Sequence, residues 1–162
     1  MYSLRARSFS IAGIWSHNFW VLCDSTGTVL AELHGLATDR TTGRPVPIGY
    51  ARRHSLRAWC FEQGCGITLC KPAQRSALAF EADEVEVRER WRVATDAIEH
   101  LNALDLDYPI GGIRLLGKTF NSNSLFTTFA GLLSVPLPRF PGVLQPGLGN
   151  CVMQAVPFPL EK

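Results

Sequence analysis

Several things are missing from this 162-residue chain, and each absence removes a class of protein. No run of apolar residues is long enough to span a membrane, which argues against an integral membrane protein. The N-terminal Met1-Tyr-Ser-Leu-Arg-Ala-Arg leads into alternating residues rather than an apolar block with a cleavage site, so Sec-type export is not expected. No internal repeat or low-complexity tract suggests a solenoid or a disordered tail. Charge is also sparse. Charged residues make up 19% of the chain and the formal net charge is +2, too little to predict nucleic-acid binding. The local cluster Arg52, Arg53, His54 and Arg57 reads as a solvated face. The five cysteines are an odd number in a chain without an export signal, a poor basis for a disulfide framework. Cys60, Cys65 and Cys70 recur at intervals of five, unlike the short paired spacing of zinc sites. Buried free thiols are expected, with no metal and no cofactor.

What is present is a hydrophobic content of 46% and a length suited to one domain over 1–162 with a sizeable core. Residues 3 to 12 alternate and end at Gly13, predicting a first strand. Trp15 to Cys23, the turn chemistry of Asp24-Ser-Thr-Gly27, and Thr28 to Leu36 predict a β-hairpin. With Cys23 opposite Thr28, His17 would face His34 and Phe19 would face Glu32; a slip of two residues would change partners but keep the face. Asp39 to Gly49 is a Gly- and Pro-punctuated loop, either overhanging a site or a plain excursion. Further strands are expected at His54 to Glu62, Gly66 to Cys70 and Ser76 to Phe80. Val87, Trp91, Ala94, Ile98, Leu101 and Leu104 keep a helical spacing, predicting one long helix from about Glu84 to Leu104. Pro109 lies beyond its end. The Pro-rich tail, 136–162, is expected to wrap the surface in extended or turn conformation.

The stretch that draws chemical interest is Asn121-Ser-Asn-Ser124. These are helix-capping residue types, and Leu125, Phe126, Phe129, Leu132 and Leu133 follow at the helical period. A short buried helix therefore starts near Asn121. Ser122 lies on its apolar side at the N-terminus, where unpaired N–H groups and the helix dipole favour developing negative charge. The plain reading is capping alone. A hydroxyl becomes a nucleophile only if a base takes its proton, and that base needs an orienting partner. His17 is the candidate base, set among Trp15, Phe19 and Trp20; His34 or Glu32 would fix its tautomer. Taken alone, His17 reads more simply as an imidazole tucked against aromatics with no catalytic duty. His54 and His100 offer weaker cases.

The order of parts is a His-bearing hairpin, further strands, a long helix, then a short helix opening on Asn-Ser-Asn-Ser. Together with Ser16-His17-Asn18-Phe19-Trp20, Glu32-Leu33-His34-Gly35 and Pro146-Gly147, it resembles the circularly permuted NlpC-like branch of the papain-like superfamily, which includes lecithin retinol acyltransferase-like proteins. The resemblance implies an α+β fold, an antiparallel sheet with two packed helices. It also implies Ser122 at the nucleophile position, His17 as general base and His34 as third residue. Asn121, Asn123, Ser124, Trp20 and Glu32 would surround the substrate. The family nucleophile is cysteine, so Ser122 is read as a serine nucleophile, as the mark of an inactive binding descendant, or as a substituted residue. The implied activity is hydrolysis or acyl transfer at a peptide or cell-wall amide. A silent binding module and a lipid-directed acyl hydrolase are the alternatives. A cytoplasmic origin, export by a non-Sec route as a bacterial effector candidate, and a secretion or immunity partner complete the expectations.

Overall fold

The computed structural model describes residues 1–47, 49–50, 52–114 and 117–155. The expected wrapping by Pro157 and Pro159 falls outside them. Five strands, β1 (Tyr2–Ile11), β2 (Trp15–Cys23), β3 (Val29–Asp39), β4 (His54–Glu62) and β5 (Arg75–Ala82), form one antiparallel sheet in the order β4-β3-β2-β1-β5. Among the described residues three α-helices follow: α1 (Glu84–Asp96), α2 (Ile98–Ala103) and α3 (Ser122–Leu132). The protein is thus an α+β domain with its helices packed against an antiparallel sheet. No helix among the described residues is long and apolar enough to cross a membrane.

Alternation along the strands divides the sheet into two faces. One carries Leu4, Ala6, Trp20, Leu22, Ala31 and Leu33, which form the main core with Val87, Trp91 and Ala94 of α1 and Leu125, Phe126 and Phe129 of α3. Each large side chain buried there stabilises the fold by about 1.5–3 kcal/mol. Gly35 permits the closest approach of α3, because a Cβ on it would lie 2.6 Å from Leu125 Cβ and 3.1 Å from Ser122 Cα. The other face carries His17, Phe19, Val21 and Cys23 of β2 with Glu32 and His34 of β3. Phe19, Val21 and Cys23 make a smaller apolar cluster there, joined by Phe9, Val29 and Cys70.

The structure corrects the hairpin register. Trp20 pairs with Leu33 and Val21 with Glu32, a slip of two residues from the expected pairing. The cause is a wider turn: Asp24 N–H donates to Thr28 O, and Asp24 Oδ1 accepts from the N–H groups of Thr26 and Thr28, so Cys23 meets Val29 across a bulge. Because the slip is even, the predicted face survives.

The expected strand at Gly66 to Cys70 is instead an irregular strap, with positive φ at Gly64 and Gly66. The single long helix divides at Ala97. Beyond that break, Asn102 docks on the edge of β4, accepting from Ala58 N–H (2.7 Å) and donating to Ala58 O (3.0 Å), while Leu106 and Tyr108 take up edge groups of Leu56 and His54. The basic cluster is not a plain solvated face. Arg53 pairs with Asp39 and Arg57 with Asp105, while His54 is buried with Nδ1 accepting from Tyr50 N–H. All five cysteines are free, but only Cys23 is fully buried and Cys65 is exposed.

Candidate functional site

The site is built where β2 and β3 separate. Their ladder runs from Cys23 only as far as Trp20, leaving the first residues of β2 without a β3 partner. The first turn of α3 fills that gap. Asn123 Oδ1 accepts from Asn18 N–H (3.2 Å) and its Nδ2 donates to Ser16 O (3.1 Å), so one carboxamide takes up the two backbone groups on either side of His17. A side chain thus replaces the missing strand residue.

Asn121 and Ser124 close the rest of the helix start. Asn121 Oδ1 accepts from the N–H groups of Asn123 (2.9 Å) and Ser124 (3.3 Å), and Ser124 Oγ accepts from Asn121 N–H (3.2 Å), a capping box. Asn121 Nδ2 donates to Gly112 O and Pro146 O, and the Ser124 hydroxyl reaches the carbonyls of Thr119 and Gly147. These bonds pin the tail segment around Pro146 and Gly147 to the domain. Gly147 has φ +82, and a Cβ there would lie 2.4 Å from Asn121 Oδ1, so glycine is demanded twice over. Asn121, Asn123 and Ser124, expected at the substrate, spend their polar atoms on this clasp. Trp20 is likewise internal, donating from Nε1 to Phe126 O (2.9 Å).

Ser122 is the first helical residue and is nearly buried. Among the described residues no hydrogen bond joins it to His17. Its neighbour is Tyr108: burial raises the phenol pKa, and hydrogen bonding from the Ser122 hydroxyl and N–H pulls against that rise. Tyr108 also packs on Gly49, at the end of the Gly- and Pro-rich loop, where a Cβ would strike its ring. That loop therefore reaches the site through Tyr108.

On the histidine face the side chains form a chain with a direction. His17 Nε2 lies 3.1 Å from His34 Nδ1, and His34 Nε2 lies 2.8 Å from Glu32 Oε2. Glu32 also accepts from the Thr68 hydroxyl and from the N–H groups of Leu69 and Cys70. Burial would raise its pKa, yet the hydrogen bonds from His34, Thr68 and Leu69 outweigh it and leave the carboxyl below its ordinary value. Glu32 is therefore an ionised acceptor, and the hydrogen between it and His34 sits on Nε2 of His34. Burial, only partly offset by Glu32, lowers the His34 pKa and keeps that ring neutral, so its Nδ1 is a lone pair. His17 must then donate from Nε2. Its own pKa is pushed down to about 3 by burial, with His34 adding to the fall, so it too is neutral and carries its unshared pair on Nδ1.

Aromatic rings hold the chain in place: Phe19 stacks on His34 at 4.4 Å, Phe9 lies 5.1 Å from His17, and Phe61 lies 5.4 Å from His34. Ser16 Oγ and Asn18 Oδ1, on either side of His17 in sequence, are buried without a hydrogen-bond partner among the described residues. Such orphans are costly and concentrate where a structure serves something besides packing.

The structure thus brings His17, His34 and Glu32 together, and seats the turn carrying Ser122 beside the backbone of His17. Glu32 belongs to the histidine chain rather than to a substrate surface. Nothing in the sequence pattern singled out Tyr108 as a neighbour of Ser122, or Thr68, Leu69 and Cys70 as the holders of Glu32. The Pro after Tyr108 and the glycines around Cys65 marked both as irregular segments, but nothing local tied either to a site. Among the described residues no group of three His, Cys, Asp or Glu is arranged to hold a metal ion. No family model, curated protein or solved structure matches the chain.

Proposed function

We propose that this chain is a hydrolase or acyltransferase of permuted papain-like design, acting on an amide bond through Ser122. The observation that carries the reading is the ordered proton chain from Glu32 through His34, which leaves the unshared pair of His17 on Nδ1, together with the α3 start bonded to the backbone on either side of His17. In the reaction, Ser122 Oγ bonds to the carbonyl carbon as its proton passes to His17 Nδ1. The amine then leaves with that proton, and water or another acceptor releases the acyl group by the reverse path. His34 and Glu32 support the imidazolium formed in between. The Ser122 N–H, at a helix N-terminus and bonded to the Tyr108 hydroxyl, is the backbone donor that would serve the developing oxyanion. A peptide or cell-wall amide is the substrate class that the family resemblance suggests.

Intact-mass spectrometry after treatment with a fluorophosphonate tests this. One adduct on the native chain, absent from Ser122→Ala, is the expected result. No adduct on the native chain would remove the acyl-enzyme.

One observation favours a second reading. An imidazole whose pKa is about 3 is a weak base at neutral pH, and it makes no hydrogen bond to Ser122. A catalytically silent binding module would have both properties. It predicts no fluorophosphonate adduct on the native chain and, in Ser122→Cys, no thiol-probe adduct at position 122 by peptide mapping, beyond the labelling of native thiols such as the exposed Cys65.

A further inference from the structure

A pocket of about 460 Å³ opens beside the histidine chain, between the end of β1 and the strap that leads into β5. Its lining includes Phe9, Leu69, Ser8, Ser10, Lys71 and Arg75. Phe9 connects it to the site, since it pairs with His17 across the strands and its ring lies 5.1 Å from the imidazole. Leu69 connects it to the far end of the chain, because its N–H donates to Glu32 (3.0 Å).

The charges in this pocket have one sign. Lys71 and Arg75 line it, no acidic residue does, and neither cation has a carboxylate partner among the described residues. Arg75 spends one Nη1 hydrogen on Pro141 O, which fixes the guanidinium and leaves other N–H groups free. One pleat along the same face, the Nε of Arg7 is buried and also unpartnered. Contrast α1, where Arg88, Arg90 and Arg92 all meet glutamates. Cations left open around an aromatic wall suit a ligand with a carboxylate and an apolar body, because guanidinium and carboxylate match in shape and charge.

We infer that this pocket binds the carboxylate of an amino-acid-like ligand. Resting on the acyl-transfer reading, it makes the substrate of Ser122 an amide that also bears a free carboxylate.

The test is a binding titration followed by amide NMR, using N-acetyl-L-phenylalanine and its neutral primary amide. The carboxylate is expected to saturate with shifts at Phe9, Leu69 and Lys71, to weaken as salt rises, and to bind at least about tenfold more tightly than the amide. Lys71→Ala combined with Arg75→Ala should erase that preference. Equal binding of acid and amide, saturation with shifts elsewhere, or no saturation by the acid at tens of millimolar would overturn the inference. Binding is read without turnover. An inert but carboxylate-selective protein would therefore sink the acyl-transfer reading and spare the pocket, while a labelled but unselective one would do the opposite.

Discussion

Two buried polar regions lie within a few residues of each other, and they are built differently. At the start of α3, Asn121, Asn123 and Ser124 use their side-chain donors and acceptors on backbone groups from four separate segments. On the histidine face, Glu32, His34 and His17 are linked in series, and the series ends on an unshared pair. The closed arrangement contributes stability and has nothing left to offer a ligand. The open one holds a base in a defined tautomer at the cost of burying two imidazoles. Burial alone therefore does not separate structural from chemical polar groups; where the hydrogen-bond chain ends does.

The sharpest way to break this comparison is Asn121→Ala. It removes the cap and takes the side-chain partner from the Gly112 carbonyl and the Asn123 N–H, while Pro146 O keeps Asn123 and Ser124 N–H keeps the Asn121 carbonyl, so urea unfolding should show a loss of about 3 kcal/mol. A loss under about 1 kcal/mol would mean the clasp is not what secures the tail. Gly147→Ala attacks the same clasp from the other side, through a positive φ and a collision with Asn121, and should cost about 2–3 kcal/mol.

On the histidine face, Glu32→Gln should cost about 2 kcal/mol because the amide cannot accept from every donor that now points at it. Its more telling effect is on nitrogen shifts: in the native chain His17 should show a protonated Nε2 and bare Nδ1, and the variant should lose that single tautomer. An unchanged pattern would remove Glu32 from the chain's control.

Acid should weaken the native protein in a defined window. The folded His17 pKa is about 3, below the ordinary 6.5 of an unfolded histidine, so its contribution is complete above 6.5 and is lost as pH falls toward 3. His34, also lowered, acts in the same sense. Thermal unfolding measured from pH 7 to pH 5 should show the decline, before Glu32 begins to titrate, and His17→Phe should make it shallower. The smallest effect belongs to Arg92→Ala. Its pairs with Glu89 and Asp96 are exposed and screened by solvent, so the urea midpoint should hardly move, and a clear loss would upset the contrast between buried and surface polar groups.

Much of the architecture was legible from local pattern. The strand at Trp15 to Cys23, from its aromatic and β-branched residues, the bounds of His54 to Glu62, the cap at Asn121 and the start of the long helix all follow from period and residue type, and all stand in the fold. The hairpin register was misjudged because Asp24 organises a longer turn than the four residues suggested. The face of His17, His34 and Glu32 was nevertheless right, because side chains alternate with period two and the slip was even.

By itself, then, the sequence determined which residues share a helix or a sheet face, since those relations arise between neighbours along the chain. Only the tertiary structure decided that Asn123 would stand in for a missing strand, that Tyr108 would meet Ser122, and that the 66–70 segment would hold Glu32 instead of joining the sheet. Each of these joins residues 36 or more apart in sequence or rests on an irregular segment without a period. Their positions follow from which buried donors and acceptors remain to be satisfied once the strands and helices have packed.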